Sequence, residues 1–305
     1  MGPDNLADDL RPRMAALLDE GRAFALVTAF AVDGGPRGVG TQMVVTETDC
    51  WGFVSGGCVE ADVALHARDT LADGQPRTLV YGRGSPWMDI ALPCGGRLDL
   101  LAERISPDDT AVVTFVSALQ QRRTVRYQSD GRVRRCSAPD GAPAAEWAVD
   151  HVFAPPQRLI VVGSDAIAMA IAGLGSRLGW ASVLINTDES FAMPELGVVH
   201  RSDPPDAALA SMVPDGRTAI AVATHDLEHD EVTILAALAT GAGYIGVLGA
   251  RRRIPERVDR LRRAGVSEAD IARLHMPIGL PLGAASPWEI AVSVTAQIIA
   301  ERSEA

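Results

Sequence analysis

The stretch RLIVVGSDAIAMAIAGLGSRLG, residues 158–179, decides the fold. Its opening, Arg158–Gly163, sets the apolar run Leu159–Val162 between an arginine and a glycine, the pattern of a strand buried on both faces of a parallel sheet. A helix is predicted to follow from about Ala166 to Leu178. Downstream, Ala181–Asn186, Thr218–Ala223 and Tyr244–Leu248 read as further buried strands, with helices at about Asp230–Ala239 and Pro255–Ala264. Strands alternating with helices at this spacing predict a doubly wound parallel sheet. The last helix opens with Ser286-Pro-Trp-Glu289, a capping box with proline at the first helical position.

Upstream the rhythm changes. Residues 4–20 have the spacing of an amphipathic helix, with Leu10, Met14, Leu17 and Leu18 on one face. Phe24–Val32, Gln42–Thr46 and Cys50–Val54 read as strands, and Ser55-Gly-Gly-Cys-Val-Glu-Ala-Asp62 opens a helix that runs to about Ala72. Another strand falls at Thr78–Tyr81. Residues 111–136 read as a hairpin around a Ser-Asp-Gly turn. Pro139 to Pro156 reads as a linker with one short strand, Trp147–Phe153. The expected division is therefore residues 1–153 and residues 156–305.

The chain of 305 residues carries a formal charge of −11, which argues against general binding to nucleic acid or to an anionic membrane. All of its basic residues are arginine, so Schiff-base and P-loop lysine chemistry is excluded. The uncharged run Val232–Ala250 contains four glycines and reads as a helix end, a turn and a strand rather than a membrane span. The acidic start MGPDNLADDL does not read as an export signal, so a cytoplasmic protein with reduced thiols is expected.

Four places invite chemistry. In Gly163-Ser-Asp165-Ala-Ile-Ala168, a dinucleotide fingerprint would put glycine where Asp165 stands. A carboxylate against a pyrophosphate in low dielectric costs several kcal/mol, against the ~0.3–1 kcal/mol a helix dipole returns. Asn186-Thr-Asp188 leaves the acidic ribose ligand displaced or missing. Three readings stand here: ordinary NAD binding, an altered ligand mode, or Asp165 simply complementing a helix N-terminus. Thr224-His225-Asp226 lies beyond a parallel strand end, where such folds bind ligands, and His229 is four residues on from His225. Gly246-Val-Leu-Gly249-Ala-Arg251-Arg-Arg253 sets amides and arginines at the next strand end, an arrangement suited to phosphate. Arg251 is the favoured ligand there, while Arg252, Arg257, Arg260, Arg262 and Arg263 fit a solvated helix face. Finally, Cys58 precedes a helix start, where the dipole favours a thiolate, and Cys94 precedes Gly95 and Gly96, which permit close approach of a ligand or another backbone. Either cysteine also fits as a small buried residue.

SGGCVEADV, LPCGG, the Thr-His-Asp after a strand, GVLGARRR and PIGLPLGAASPWEIAVS together resemble the XdhC/CoxI family of xanthine dehydrogenase accessory proteins. The resemblance implies an α/β chain with a small N-terminal domain and a Rossmann-like C-terminal domain. It implies a chaperone more than a catalyst. Such proteins bind the molybdenum cofactor, as molybdopterin or its cytosine dinucleotide form, and hold it while a cysteine desulfurase installs a terminal sulfido ligand. They deliver it to the large subunit of an apo molybdenum hydroxylase and are commonly homodimers. By position, Gly57, Cys58, Glu60, Cys94, Gly95, Gly96, Gly163, His225, Asp226, Gly249, Arg251 and Gly279 would contact the cofactor, with Cys58 and Cys94 towards the molybdenum. Soft thiolates suit such a metal. Pro277 and Gly283 match the last motif. Family members often read Gly-Ala-Gly-His after the first Rossmann strand, and this chain departs from that at Ser164, Asp165 and Ala166. The departure argues against a nucleotide in the usual pose and against the competing reading, an NAD(P)-dependent oxidoreductase.

Overall fold

The computed structural model describes residues 9–304 apart from 36, 86–91, 142–146, 187–195 and 225–226. The chain divides into two compact units, Met1–Pro155 and Pro156–Ala305.

In order, the first unit contains α1 (Arg11–Asp19), β1 (Phe24–Asp33), β2 (Gln42–Val45), β3 (Cys50–Trp51), α2 (Glu60–Asp73), β4 (Arg77–Gly82), β5 (Arg97–Ile105), α3 (Thr110–Gln120), β6 (Val125–Ser129), β7 (Arg134–Ser137) and β8 (Val149–Phe153). An antiparallel five-stranded sheet runs β3-β2-β1-β5-β4. Side chains alternate across β1, so Phe24 and Leu26 enter one core while Ala25, Val27 and Ala29 enter the other. The second core lies under α2. The first is closed by α1, α3 and a small sheet of order β7-β6-β8, where Phe115 packs against Tyr127 and Phe153 at ring-centroid distances of 5.1 and 4.9 Å.

One expectation for this region is corrected, and one strand forms where it is predicted. The apolar run after Asp109 is helix α3, not a hairpin arm. Val112, Phe115, Val116 and Leu119 recur at helical spacing, and Asp109 caps the helix by accepting from the amides of Ala111 and Val112. The hairpin comprises only β6 and β7. The predicted linker strand is structural as well: β8 pairs antiparallel with β6 and belongs to the first unit.

One carboxylate ties the two sheets together. Glu103 on β5 is fully buried and accepts from Tyr127 Oη (3.0 Å), Ser129 Oγ (2.5 Å) and Arg134 Nε (2.6 Å). Arg134 continues to Asp109 Oδ2 at 2.9 Å and to the Arg104 carbonyl at 2.9 Å.

The second unit contains β9 (Arg158–Val162), α4 (Ala166–Arg177), β10 (Ala181–Ile185), β11 (Val199–Arg201), α5 (Pro205–Met212), β12 (Thr218–Val222), α6 (Leu227–Leu238), β13 (Tyr244–Val247), α7 (Ile254–Arg263), α8 (Glu268–Ala272), β14 (Leu274–His275) and α9 (Pro287–Glu304). Its six strands are parallel in the order β11-β10-β9-β12-β13-β14, the Rossmann order in which the sheet reverses direction beside its first strand. Alternate residues of β9 face two helix layers, Leu159 and Val161 towards α4 and α9, Ile160 and Val162 towards α5, α6 and α7. Val232–Ala250 resolves into the end of α6, a turn and β13. Among the described residues no helix is long and apolar enough to cross a membrane.

Arg134→Ala is expected to destabilise the first unit by about 3–5 kcal/mol, because it leaves the Glu103 carboxylate buried without its counter-charge. Urea unfolding checks this, and adding Glu103→Gln is expected to recover much of the loss.

Candidate functional site

Each unit holds a concavity built from residues the sequence singles out. In the first, Ser55–Val59 crosses from the end of the β3 region into α2, and Glu60 organises the crossing. Its carboxylate accepts from the amides of Val54 (3.1 Å), Ser55 (2.7 Å), Gly56 (3.1 Å), Gly57 (2.9 Å) and Val59 (3.2 Å) and from Ser55 Oγ (2.7 Å). Ser55 Oγ in turn accepts from the Cys58 and Val59 amides at 3.0 and 3.2 Å. Gly57 holds φ at +117°, which admits this turn and disfavours any side chain there. Burial works to raise the Glu60 pKa, but the hydrogen bonds from Ser55 and Val59 outweigh it and hold the group below the ordinary carboxylate range.

The organised loop presents Cys58 to a cavity of about 390 Å³. Val32, Gly34, Gly35, Arg37, Val54, Ser55, Leu92, Pro93, Cys94 and Leu98 complete its lining. Both Cys58 and Cys94 are exposed, whereas Cys50 and Cys136 are half-buried, and all four are free thiols. Cys94 sits in a turn closed by the Gly95 amide donating to the Leu92 carbonyl at 2.9 Å. The structure therefore brings the two motif cysteines to one concavity, although 36 positions separate them.

Three expected ligands here do other work. Glu60 does not line the cavity, and its oxygens serve the loop amides. Gly95 shapes the Cys94 turn. Gly96 is small because another backbone approaches it: a Cβ there would stand 2.6 Å from the Asp33 carbonyl oxygen.

In the second unit, a groove of about 560 Å³ opens at the C-terminal ends of β12 and β13. Its floor is a buried polar cluster. Asp230 and Arg257, 2% and 5% exposed, form an ion pair, and Thr224 Oγ1 donates to the same carboxylate. Arg257 also reaches the Leu248 carbonyl at 3.3 Å. One wall is the loop Pro277–Ala284. Gln297 on α9 anchors this loop, its Oε1 accepting from the Gly279 amide at 2.7 Å and from Tyr244 Oη at 2.6 Å. The rim is a 3-10 turn, Arg251–Arg253, whose three side chains are exposed and line the groove. Leaving aside residues 225–229, no hydrogen bond or ion pair joins these three side chains to a described residue, whereas Arg257, Arg260, Arg262 and Arg273 nearby are all paired with acids.

The sequence reading needs correction at several of these positions. Arg257, expected on a solvated face, is the buried member of the floor. Its position with Leu261 on the inward helical face was the available signal. Asp230, expected on a solvated helix start, is buried because it pairs with Arg257, and Gln297 belongs to no motif the sequence offers. Gly249 lines the groove but is small because the Arg257 guanidinium lies 2.9 Å from where its Cβ would stand. Gly279 lines the groove with its amide already donated. The Gly163 amide donates to Ile185 O at 3.0 Å, and its missing side chain leaves room for Ala223 and Ala168. His225 and Asp226 lie outside the described residues. Among the described residues there is no group of three or more His, Cys, Asp or Glu that could hold a metal ion.

Asp165 caps α4, its carboxylate accepting from the Ala168 amide at 2.8 Å. The protein's own anion thus sits where a Rossmann pyrophosphate would bind. The fold and the two concavities define a two-unit α/β protein whose Rossmann half has an arginine-rimmed groove beside β13 and a first glycine loop capped by its own Asp165. Residues 159–298 match the model of the XdhC Rossmann domain, and residues 17–82 match that of the XdhC and CoxI family. The chain is 30% identical to the molybdenum cofactor insertion chaperone PaoD of Escherichia coli (strain K12), over 97% of this chain and 90% of that one. It is 25% identical to a probable xanthine dehydrogenase subunit of Bacillus subtilis (strain 168), over 94% and 96% of the two chains. A crystal structure described as a xanthine dehydrogenase from Bacillus halodurans superposes with a TM-score of 0.74 at 22% identity, covering 98% of this chain and 96% of the other. The chain belongs to the XdhC and CoxI family.

Glu60 also sets a pH response. Its folded-state pKa is depressed, so its stabilising effect is complete above the ordinary carboxylate range and is lost as pH falls through the lowered folded value. Glu60→Gln is therefore expected to lower the thermal midpoint of the first unit at neutral pH, with the gap to the parent narrowing on acidification. Melting curves at a series of pH values measure it.

Proposed function

We propose that the chain binds the molybdenum cofactor as cargo, as molybdopterin or its cytosine dinucleotide form. It holds the cofactor while a cysteine desulfurase supplies a terminal sulfido ligand, and passes it to the large subunit of an apo molybdenum hydroxylase. The working form is a cytoplasmic homodimer. The observation that carries this reading is the groove in the second unit. In a chain of net charge −11, Arg251, Arg252 and Arg253 stand together, and, leaving aside residues 225–229, no acid among the described residues is paired to them. Guanidinium groups left open in this way suit the phosphate end of the cofactor, through bidentate, charge-assisted hydrogen bonds. The first unit supplies the other chemistry the cargo requires, two thiols at a largely apolar cavity. The name of the Escherichia coli relative, an insertion chaperone for this cofactor, points the same way.

The NAD(P)-dependent oxidoreductase reading is not favoured. Its pyrophosphate seat is filled by Asp165, and no lysine exists to serve as a catalytic base.

Retention of the cofactor by the purified chain is the direct test. Replacing any one of Arg251, Arg252 or Arg253 with Gln is expected to weaken binding about tenfold, the loss of one or more charge-assisted hydrogen bonds. The same preparations should melt at an unchanged temperature with NAD(H) or NADP(H), and at a higher one with the cofactor. A shift with a dinucleotide and none with the cofactor would reverse the ranking.

A further inference from the structure

We propose that Cys58 and Cys94 form a sulfur relay in which Cys58 takes up a sulfane sulfur as a persulfide and Cys94 discharges it into the cavity as hydrosulfide. This deepens the reading above and rests on it, because it supposes a cargo that must receive a sulfido ligand. The placement of the thiols is the basis. They are the two exposed cysteines among the four, and both line one cavity walled by Val32, Val54, Leu92 and Leu98. The Cys58 loop is pinned by the Glu60 carboxylate, and the Cys94 turn is held against β1 by the close approach of Gly96 to Asp33. Two defined loops thus present exposed thiols to one largely apolar pocket.

The chemistry explains why two thiols are needed. A persulfide carries its outer sulfur at the oxidation level of elemental sulfur, whereas a sulfido ligand is two electrons more reduced. First, the Cys58 thiolate attacks the outer sulfur of a donor persulfide, on a protein or a small thiol. A sulfur–sulfur bond forms to Cys58 Sγ, the donor's own sulfur–sulfur bond breaks, and the donor leaves as a thiolate that takes up a proton. Next, the Cys94 thiolate attacks Cys58 Sγ. The Cys58–Cys94 disulfide forms, the bond to the outer sulfur breaks, and hydrosulfide departs with the electron pair. The cysteine pair is oxidised by two electrons as the sulfur is reduced by two, and a thiol reductant restores both thiols.

The test treats the full chain, without air, with glutathione persulfide, and follows it by intact mass, peptide mapping and a hydrosulfide assay. The parent is expected to release one equivalent of hydrosulfide and to become lighter by two hydrogens, with Cys58 linked to Cys94. Cys94→Ala should stop at one added sulfur on Cys58 and release no hydrosulfide, and Cys58→Ala should show neither change. Cys94→Ser and Cys58→Ser, checked for parental melting temperatures, should repeat these results. Sulfur placed equally on Cys50 or Cys136 overturns the relay, as does hydrosulfide release that survives loss of Cys94. Cofactor retention is scored separately on the same proteins. A chain that keeps its cofactor but fails the sulfur test loses the relay alone, whereas one that passes it but never retains cofactor loses the parent reading and the relay's purpose with it.

Discussion

A charge withdrawn from water must meet its opposite or a set of hydrogen bonds, and this requirement organises both units. Glu103 joins the two sheets of the first unit because only Arg134, Tyr127 and Ser129 together make its burial tolerable. Asp230 and Arg257 do the same below the groove, locking α6 to α7 and holding the ends of β12 and β13 through Thr224 and Leu248. Buried pairs of this kind contribute little net stability relative to an apolar core, but removing one member is costly, so they fix geometry. The floor of the groove therefore pairs its buried cation with its buried anion. The positive charge available to a visitor is that of the neighbouring 3-10 turn.

Much of the second unit was legible because its strands are buried on both faces. After their first residues RLIVV and TAIAV are apolar throughout, as is the run around Tyr244–Val247, which leaves little room for another reading. Short edge elements were not legible. β11 and β14 are three and two residues long, and only pairing with a neighbour makes them strands. The misreading of α3 has a different cause. Its valines and threonines favour strands locally, and the helix is decided by the Asp109 cap and by packing around Phe115.

The candidate sites were legible as motifs but not as geometry. Nothing in the spacing of Cys58 and Cys94 announces a shared cavity. It arises because β5 pairs with β1 so that Arg97 faces Asp33, drawing the Cys94 turn to the Gly34–Gly35 end of β1. Glycines marked for ligand contact are needed for a different reason at Gly96, Gly163 and Gly249, where protein atoms already occupy the space a side chain would take. A glycine signals that something comes close, without saying whether it is a visitor or the chain itself.

The cap on α4 has a consequence for how the fold can be used. The first amides of that helix are the donors this fold offers to a pyrophosphate, and Asp165 engages one of them from within. The sheet thus keeps the framework of a nucleotide-binding domain while its front door carries a bolt of its own.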